Sequence, residues 1–381
     1  MAELRFITAG ESHGPVLTAI LEGLPAGLRL DLEKINGDLA RRQQGYGRGG
    51  RMKIETDKAE IVSGVRFGET LGGPITIQVK NKDFSNWTDR MAAFGEPAGE
   101  KVTAARPGHA DLVGVKKYDR EDIRDILERS SARETTMRVA AGAVAKQFLS
   151  ALGMEISSRV LNIGGVCADI EKTEGNEASE LNCRDAEAEE RMKAKIREAK
   201  EAGDTLGGVF EVVVTGAPVG LGSHIQWDRR LDARLAAAMT SIQAIKGVEI
   251  GEGFGYASLP GSLAHDEMFY DESGRVVRKT NRAGGIEGGM TNGEPIVLRA
   301  VMKPIPTLMQ PLHSVDIATR QAVLASKERS DVCAVSAASV VGEAMTALVV
   351  AAAVTEKFGG DAMGDVLEEM RAYQARLQQQ G

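Results

Sequence analysis

Short runs in which apolar residues alternate with polar ones, or follow each other without a break, recur along the chain between glycines and prolines. They cover Leu4–Thr8, Val16–Leu21, Pro74–Val79, Val209–Thr215 and Pro295–Met302, and each is expected to be a strand. Elsewhere apolar positions recur with the period of a helix, roughly 3.6 residues, over Leu32–Gln43, Arg133–Leu152, Ala186–Glu201, Arg230–Ile245, Ser336–Lys357 and Val366–Gln379. The apolar stretch Ala344–Val354 is too short to span a bilayer, which takes roughly 20 residues, and is expected to be buried helix. Strands that come in adjacent pairs, joined by long connections, predict hairpins beside crossovers. The chain is therefore expected to mix α and β without forming a simple doubly wound sheet.

One internal similarity stands out. An apolar strand runs into Gly23-Leu-Pro-Ala-Gly-Leu28 and another into Gly216-Ala-Pro-Val-Gly-Leu221, each followed by an amphipathic helix that begins near an aspartate, Asp31 or Asp228, suited to capping. Either the chain contains a duplicated half or two ordinary Pro-Gly turns happen to precede helices. Residues 168–204 differ in kind. They are rich in Glu, Lys and Ala, with Glu187/Arg191 and Glu189/Lys193 at i,i+4 spacing, and are expected to form a charged surface helix without chemistry.

At 381 residues the chain is long enough for two or three domains or one large α/β domain. Apolar content of 43% and charged content of 27% fit a soluble globular protein. The balance of 47 basic and 54 acidic residues leaves −7, which disfavours nucleic acid as a partner. The N-terminal MAELRFITAGESHG lacks the basic and apolar regions of a signal peptide, so the cytoplasm is expected, with no membrane. Cys167, Cys183 and Cys333 are odd in number and lack metal-ligand spacing, so reduced structural cysteines and no metal are expected. The 44 glycines exceed ordinary usage and point to tight turns or backbone close to a ligand.

Arginine is concentrated in Gly- and Ser-rich segments: Arg41, Arg42, Arg48 and Arg51 in RRQQGYGRGGR, Arg106 in RPGH, Arg129 and Arg133 in RSSAR, and Arg329 in ERSD. Guanidinium groups clustered this way suit a compact polyanion, a phosphorylated and carboxylated small molecule, although isolated arginines most often form surface ion pairs. GYGRGG satisfies the glycine spacing of a dinucleotide loop but follows a helix instead of a strand, which excludes that reading. No Walker A sequence occurs. His13 in SHG and His109 in GHAD are candidate acids or bases, whereas His224, His265 and His313 have no titratable neighbour at suggestive spacing. KPIPT, residues 303–307, is a stiff turn able to meet a phosphate or simply to end a strand. The glycines of Gly284–Gly293 are expected to approach a flat ligand. Asp331 is expected near a helix N-terminus, as a cap or as a proton acceptor.

Taken together and in this order, GESHG, RRQQGYGRGGRM, RPGHAD, ERSSARETTMRVAAGAVA, GGIEGGMTNG, KPIPT and ERSDVCAV resemble chorismate synthase, over nearly the whole chain. The resemblance implies a single α+β domain, residues 1–381, folded as a β-α-β sandwich with a pseudo-twofold internal repeat and sheets covered by helices. It implies a lyase that converts 5-enolpyruvylshikimate 3-phosphate into chorismate and phosphate by 1,4-anti elimination with reduced FMN, without net redox change, in aromatic amino acid biosynthesis.

Residue by residue, it implies His13, His109 and Asp331 in catalysis, and Ser12, Arg42, Arg48, Arg51, Arg106, Arg133 and Arg329 around the substrate. The implied flavin contacts are Arg129, Ser130, Ser131, Gln243, Ala244, Gly288, Lys303, Pro304, Ile305, Pro306, Thr307 and Arg329. Many relatives carry Asn where this chain has Gln243, which retains the amide. A homotetramer is implied, together with flavin reduced by a separate reductase, so that NADPH is needed only indirectly. Two readings from other classes compete: a flavin oxidoreductase with net hydride transfer, and a non-catalytic polyanion binder.

Overall fold

The computed structural model describes residues 4–49, 55–327 and 331–379. A first sheet is built from Arg5–Ala9, Val16–Glu22, Ile75–Lys80 and Glu60–Ser63, hydrogen-bonded in that order and antiparallel throughout. A second runs in the order Ile245–Ile250, Ile296–Met302, Gly208–Thr215, Glu155–Ile163 and the short Val166–Cys167, also antiparallel. Every expected strand is present within a residue or two. The strands at 60–63, 155–163 and 245–250 escaped prediction; the first and third are short and half-exposed, and Glu155–Ile163 has polar residues at Ser157, Ser158, Arg159 and Asn162.

The helix Thr135–Ser150 packs on the first sheet, the helix Val335–Lys357 packs on the second, and the two pack on each other, with Leu32–Gln43 and Leu231–Thr240 beside them. Val335–Lys357 is long and apolar enough by composition to cross a membrane, yet it is almost wholly buried between these layers. The central contact depends on small residues. A Cβ placed on Gly142 would lie 2.4 Å from the Cβ of Ala344, far inside van der Waals contact, so only glycine permits the approach. Next to that crossing Glu343, 1% exposed, receives Arg41 Nη2 at 2.6 Å, Lys146 Nζ at 2.8 Å and Ser158 Oγ at 2.7 Å. One carboxylate thus ties together two helices of the first half and a strand of the second.

The two halves share a connection order. In each, the first strand pairs with the second, a helix follows, and the fourth strand inserts between the second and the third. The Pro-Gly turns are also built alike. Thr70 Oγ1 donates to Pro25 O at 2.6 Å and accepts from Leu28 N at 2.9 Å, while Thr291 Oγ1 donates to Pro218 O at 2.6 Å and accepts from Leu221 N at 2.8 Å. Each threonine ends a two-stranded hairpin, Val65–Arg66 with Glu69–Thr70 and Ile286–Glu287 with Met290–Thr291. The Gly284–Gly293 segment is therefore the counterpart of residues 63–72. At Gly64 and Gly285, with φ of +80° and +75°, a Cβ would meet the carbonyl of Pro74 or Pro295 at 2.5 Å.

Other expectations are corrected. Asp31 caps its helix through Glu33 N, but the second helix starts at Leu231 after a short 3-10 turn that contains Asp228, so Asp228 is not its cap. That helix ends at Thr240, not Ile245, because the chain turns through Ala244 at φ +68° into the edge strand. The helix Ala186–Glu201 is not merely a solvated segment: it buries Ala188, Met192, Ile196 and Ala199 against the body. Cys183 and Cys333 are buried, Cys167 is exposed, and all three are free thiols.

Burial alone would push the Glu343 carboxyl up, but hydrogen bonds and charge from Arg41 and Lys146 hold it down to about 2, against an ordinary 4.5. Its contribution to stability is then complete above about pH 4.5 and fades as the pH falls toward about 2. Glu343→Gln is expected to cost about 3 kcal/mol near neutral pH. The gap between the two proteins in urea denaturation should narrow as the pH is lowered below that ordinary value.

Candidate active site

Both central helices begin at the wall of one cavity of about 930 Å³, lined by Ala132 and Thr135 on one side and Ala334, Ala337, Ala338 and Val341 on the other. Two helix N-termini aimed at the same space favour an anion there. The local chain explains the rest of the wall. Leu32–Gln43 buries Ile35, Asn36, Leu39 and Arg42 on one helical face, which carries Arg42 inward while Arg41, one position back, turns to Glu343.

Arg42 is 4% exposed and reaches Asp57 Oδ2 at 3.1 Å, while its Nε is buried without a hydrogen-bond partner among the described residues. Burial, together with the like charges of Arg133 and Arg48, lowers Arg42 to about 10 despite Asp57, so it remains cationic at neutral pH. An anion in the cavity would relieve that repulsion. Gln243 offers a second orphan: its Nε2 donates to Glu134 at 3.2 Å, but its Oε1 is buried with no partner.

Two histidines stand on the wall, each with Nδ1 against a buried carboxylate. His13 Nδ1 lies 2.9 Å from Glu128 Oε1, and His109 Nδ1 lies 2.5 Å from Asp111 Oδ1. Asp111 also takes three bonds from Arg106: Nε at 2.8 Å, Nη2 at 3.0 Å and the backbone N–H at 3.0 Å. Burial opposes the charge on Asp111, yet His109 and Arg106 hold its carboxyl well below the usual carboxylate range. The 106–109 loop docks on the 303–307 turn through Arg106 to Thr307 Oγ1 at 3.4 Å and Lys303 Nζ to Gly108 O at 2.5 Å. Asp331 does not cap the Val335–Lys357 helix. Its Oδ1 accepts from Gly49 N at 2.6 Å and its Oδ2 faces Arg48 Nε at 3.3 Å, which ties the glycine-rich loop to the site.

The cavity wall thus unites Ser12, His13, Arg42, Arg48, Arg106, His109, Ser130, Ser131, Gln243, Ala244, Lys303, Ile305, Pro306, Thr307 and Asp331. It does not include four of the expected residues. Arg133 lies in a buried network, bonded to Asp57 at 2.7 Å and Asn81 at 2.8 Å. Arg129 is turned to Thr8 O and Gly10 O, Gly288 belongs to the hairpin of the second Pro-Gly turn, and Pro304 stands off the wall. Arg51 and Arg329 lie outside the described residues. His224, His265 and His313 are exposed and outside the cavity. Sequence reasoning missed Asp83, Trp87, Arg124 and Thr135 on the wall, and Glu128 and Asp111 behind the histidines. Asp111 was in view, two residues from His109; nothing local marked Glu128.

Asp111→Asn would remove a buried carboxylate charge that both Arg106, 6% exposed, and His109 face. The expected loss is about 3–5 kcal/mol in urea denaturation at neutral pH.

The match to the chorismate synthase family model covers residues 4–355. Chorismate synthases of Geobacter sulfurreducens and Syntrophotalea carbinolica are 60% and 59% identical, over 97% and 98% of this chain and 98% of each relative. A crystal structure of chorismate synthase, 46% identical, superposes with a TM-score of 0.80 and covers 100% of this chain and 99% of that one. With that similarity running end to end, this chain belongs to the chorismate synthase family of enzymes.

Proposed function

We propose that the enzyme converts 5-enolpyruvylshikimate 3-phosphate into chorismate and phosphate by 1,4-anti elimination, the chorismate-forming step of the shikimate pathway, with reduced FMN bound beside the substrate. The observation that carries this reading is a single cavity where two carboxylate-backed histidines face a cationic wall at two helix N-termini. The substrate bears two carboxylates and a phosphate, and Arg42, Arg48 and Arg106 offset their mutual repulsion. The volume lies within the range of cofactor sites.

The residues present fit a flavin. The partnerless Gln243 Oε1 suits a ring N–H, and Ser130, Ser131, Ala244, Lys303, Ile305, Pro306 and Thr307 would hold the rest of the group. When bound, reduced FMN supplies an electron transiently and recovers it, so no net redox change results. The protein's own groups handle the protons. His13 delivers one to the departing phosphate, which lowers the charge on the leaving group. Asp331 holds the proton that leaves C6, and His109 favours negative charge on the ligand beside it. Arg51, Arg129, Arg133, Gly288, Pro304 and Arg329 remain assigned by resemblance alone.

The shared strand order and the matched threonine bonds support reading the chain as one domain, residues 1–381, with a pseudo-twofold repeat. We further propose a cytoplasmic homotetramer supplied with flavin by a separate reductase.

Anaerobic turnover with dithionite-reduced FMN should yield chorismate and phosphate in equal amounts over many turnovers per flavin, and none with oxidised FMN. Consumption of one reduced flavin per product would instead support a net oxidoreductase. His13→Ala should slow phosphate release by on the order of 10²-fold while FMN binding is retained. Gln243→Leu should weaken FMN binding about fivefold in a fluorescence titration, the worth of one hydrogen bond.

A further inference from the structure

A proton donor must present one ring nitrogen to the ligand and hold the other still, and the surroundings of His13 meet that demand through a residue outside the cavity wall. Glu128 is 4% exposed, at the end of the helix Arg124–Ser130. Its two carboxylate oxygens grip His13 twice: Oε2 accepts from the His13 backbone N–H at 2.8 Å, and Oε1 lies 2.9 Å from the ring Nδ1. Arg124 Nη1 donates to Oε1 at 2.9 Å, and Ser12 N donates to the Glu128 carbonyl at 3.0 Å. The imidazole also packs against Trp87, with ring centroids 4.1 Å apart and planes tilted by 33°, and the Arg124 guanidinium lies 4.8 Å from the centre of that indole.

This set of contacts has a directional consequence. An ionised carboxylate only accepts, so Nδ1 must carry its proton, and Nε2 becomes the nitrogen that exchanges a proton with a ligand. Burial works against the charge on Glu128, but the bonds and charge from His13, with a further bond from Arg124, outweigh it and hold the carboxyl below its ordinary value. A purely structural ion pair with Arg124 would not require the same carboxylate to span both the backbone and the ring of one histidine.

We propose that Glu128 is the positioning residue of the phosphate-releasing step: its carboxylate fixes the tautomer and the rotation of His13, with Trp87 closing the other side of the ring. The proposal rests on the reading of His13 as the proton donor. The step itself is unchanged: the C–O bond to phosphate breaks, the electron pair leaves with the phosphate, and its oxygen takes the proton from His13 Nε2. Glu128 takes part in no bond making or breaking. It keeps the donor aimed.

The test is a double-mutant cycle on the flavin-loaded enzyme with 5-enolpyruvylshikimate 3-phosphate, comparing Glu128→Gln, His13→Ala and the pair. Glu128→Gln preserves shape but removes the charge, and is expected to lower kcat by on the order of 10²-fold, with KM and the FMN dissociation constant within about twofold of the parent. In the His13→Ala background the same change should cost less than about threefold, since a residue that acts through His13 has nothing left to act upon. An unaltered kcat for Glu128→Gln, or an equal loss in both backgrounds, would overturn the proposal while leaving His13 in its role. Unaltered turnover for His13→Ala would overturn that role, and this proposal with it. If Glu128→Gln fails to fold, Glu128→Asp keeps the charge but withdraws it by one methylene, and the same cycle applies.

Discussion

The close crossing of the two central helices is the constraint on which the molecule depends. Each helix covers one sheet, and the two pack closely on each other between them. Gly142 against Ala344 removes the bulk, and Glu343 beside the crossing fixes its rotation through Arg41, Lys146 and Ser158. Burying a carboxylate is costly, and three donors of which two are cationic offset that cost. The result is one continuous core that runs through both halves.

The same crossing sets the site. Both helices start at the cavity, so whatever holds them in register also fixes the distance between Thr135 and Ala334 and the anion-favouring ends beneath them. Around those ends the charges are arranged in pairs: Arg42 with Asp57, Arg48 with Asp331, Arg106 with Asp111, Arg124 with Glu128. These pairings orient the cations without neutralising the pocket, because the single Asp57 carboxylate is shared between Arg42 and Arg133. A ligand that brings several negative charges, as proposed, would complete the set.

Much of this was legible from the order of residues. Hydrophobic period placed the long helices and most of the core strands, Glu155–Ile163 excepted, since a side chain's face follows from its spacing along a helix or strand. Of the arginine-rich segments, Arg42, Arg48 and Arg106 line the cavity, and His109 and Asp111, two positions apart, lie close enough in the chain to be read together. The Pro-Gly turns hinted at two similar halves, and their threonine bonds agree in detail.

Other matters depended on contacts between residues far apart in sequence. The pattern alone could not separate Arg41 from Arg42, yet one helical step sends the first to Glu343 and the second to the cavity. Gly284–Gly293 is also the twin of a turn in the other half, a likeness seen only when Gly285 and Gly64 are found against the carbonyls of Pro295 and Pro74. Glu128 reaches His13 across 115 positions. The sequence by itself determined which residues could form helices, strands and a cationic cavity wall. Only the tertiary structure decided which carboxylate meets which cation, since that choice rests on the register of sheets and the crossing of helices, which no local spacing encodes.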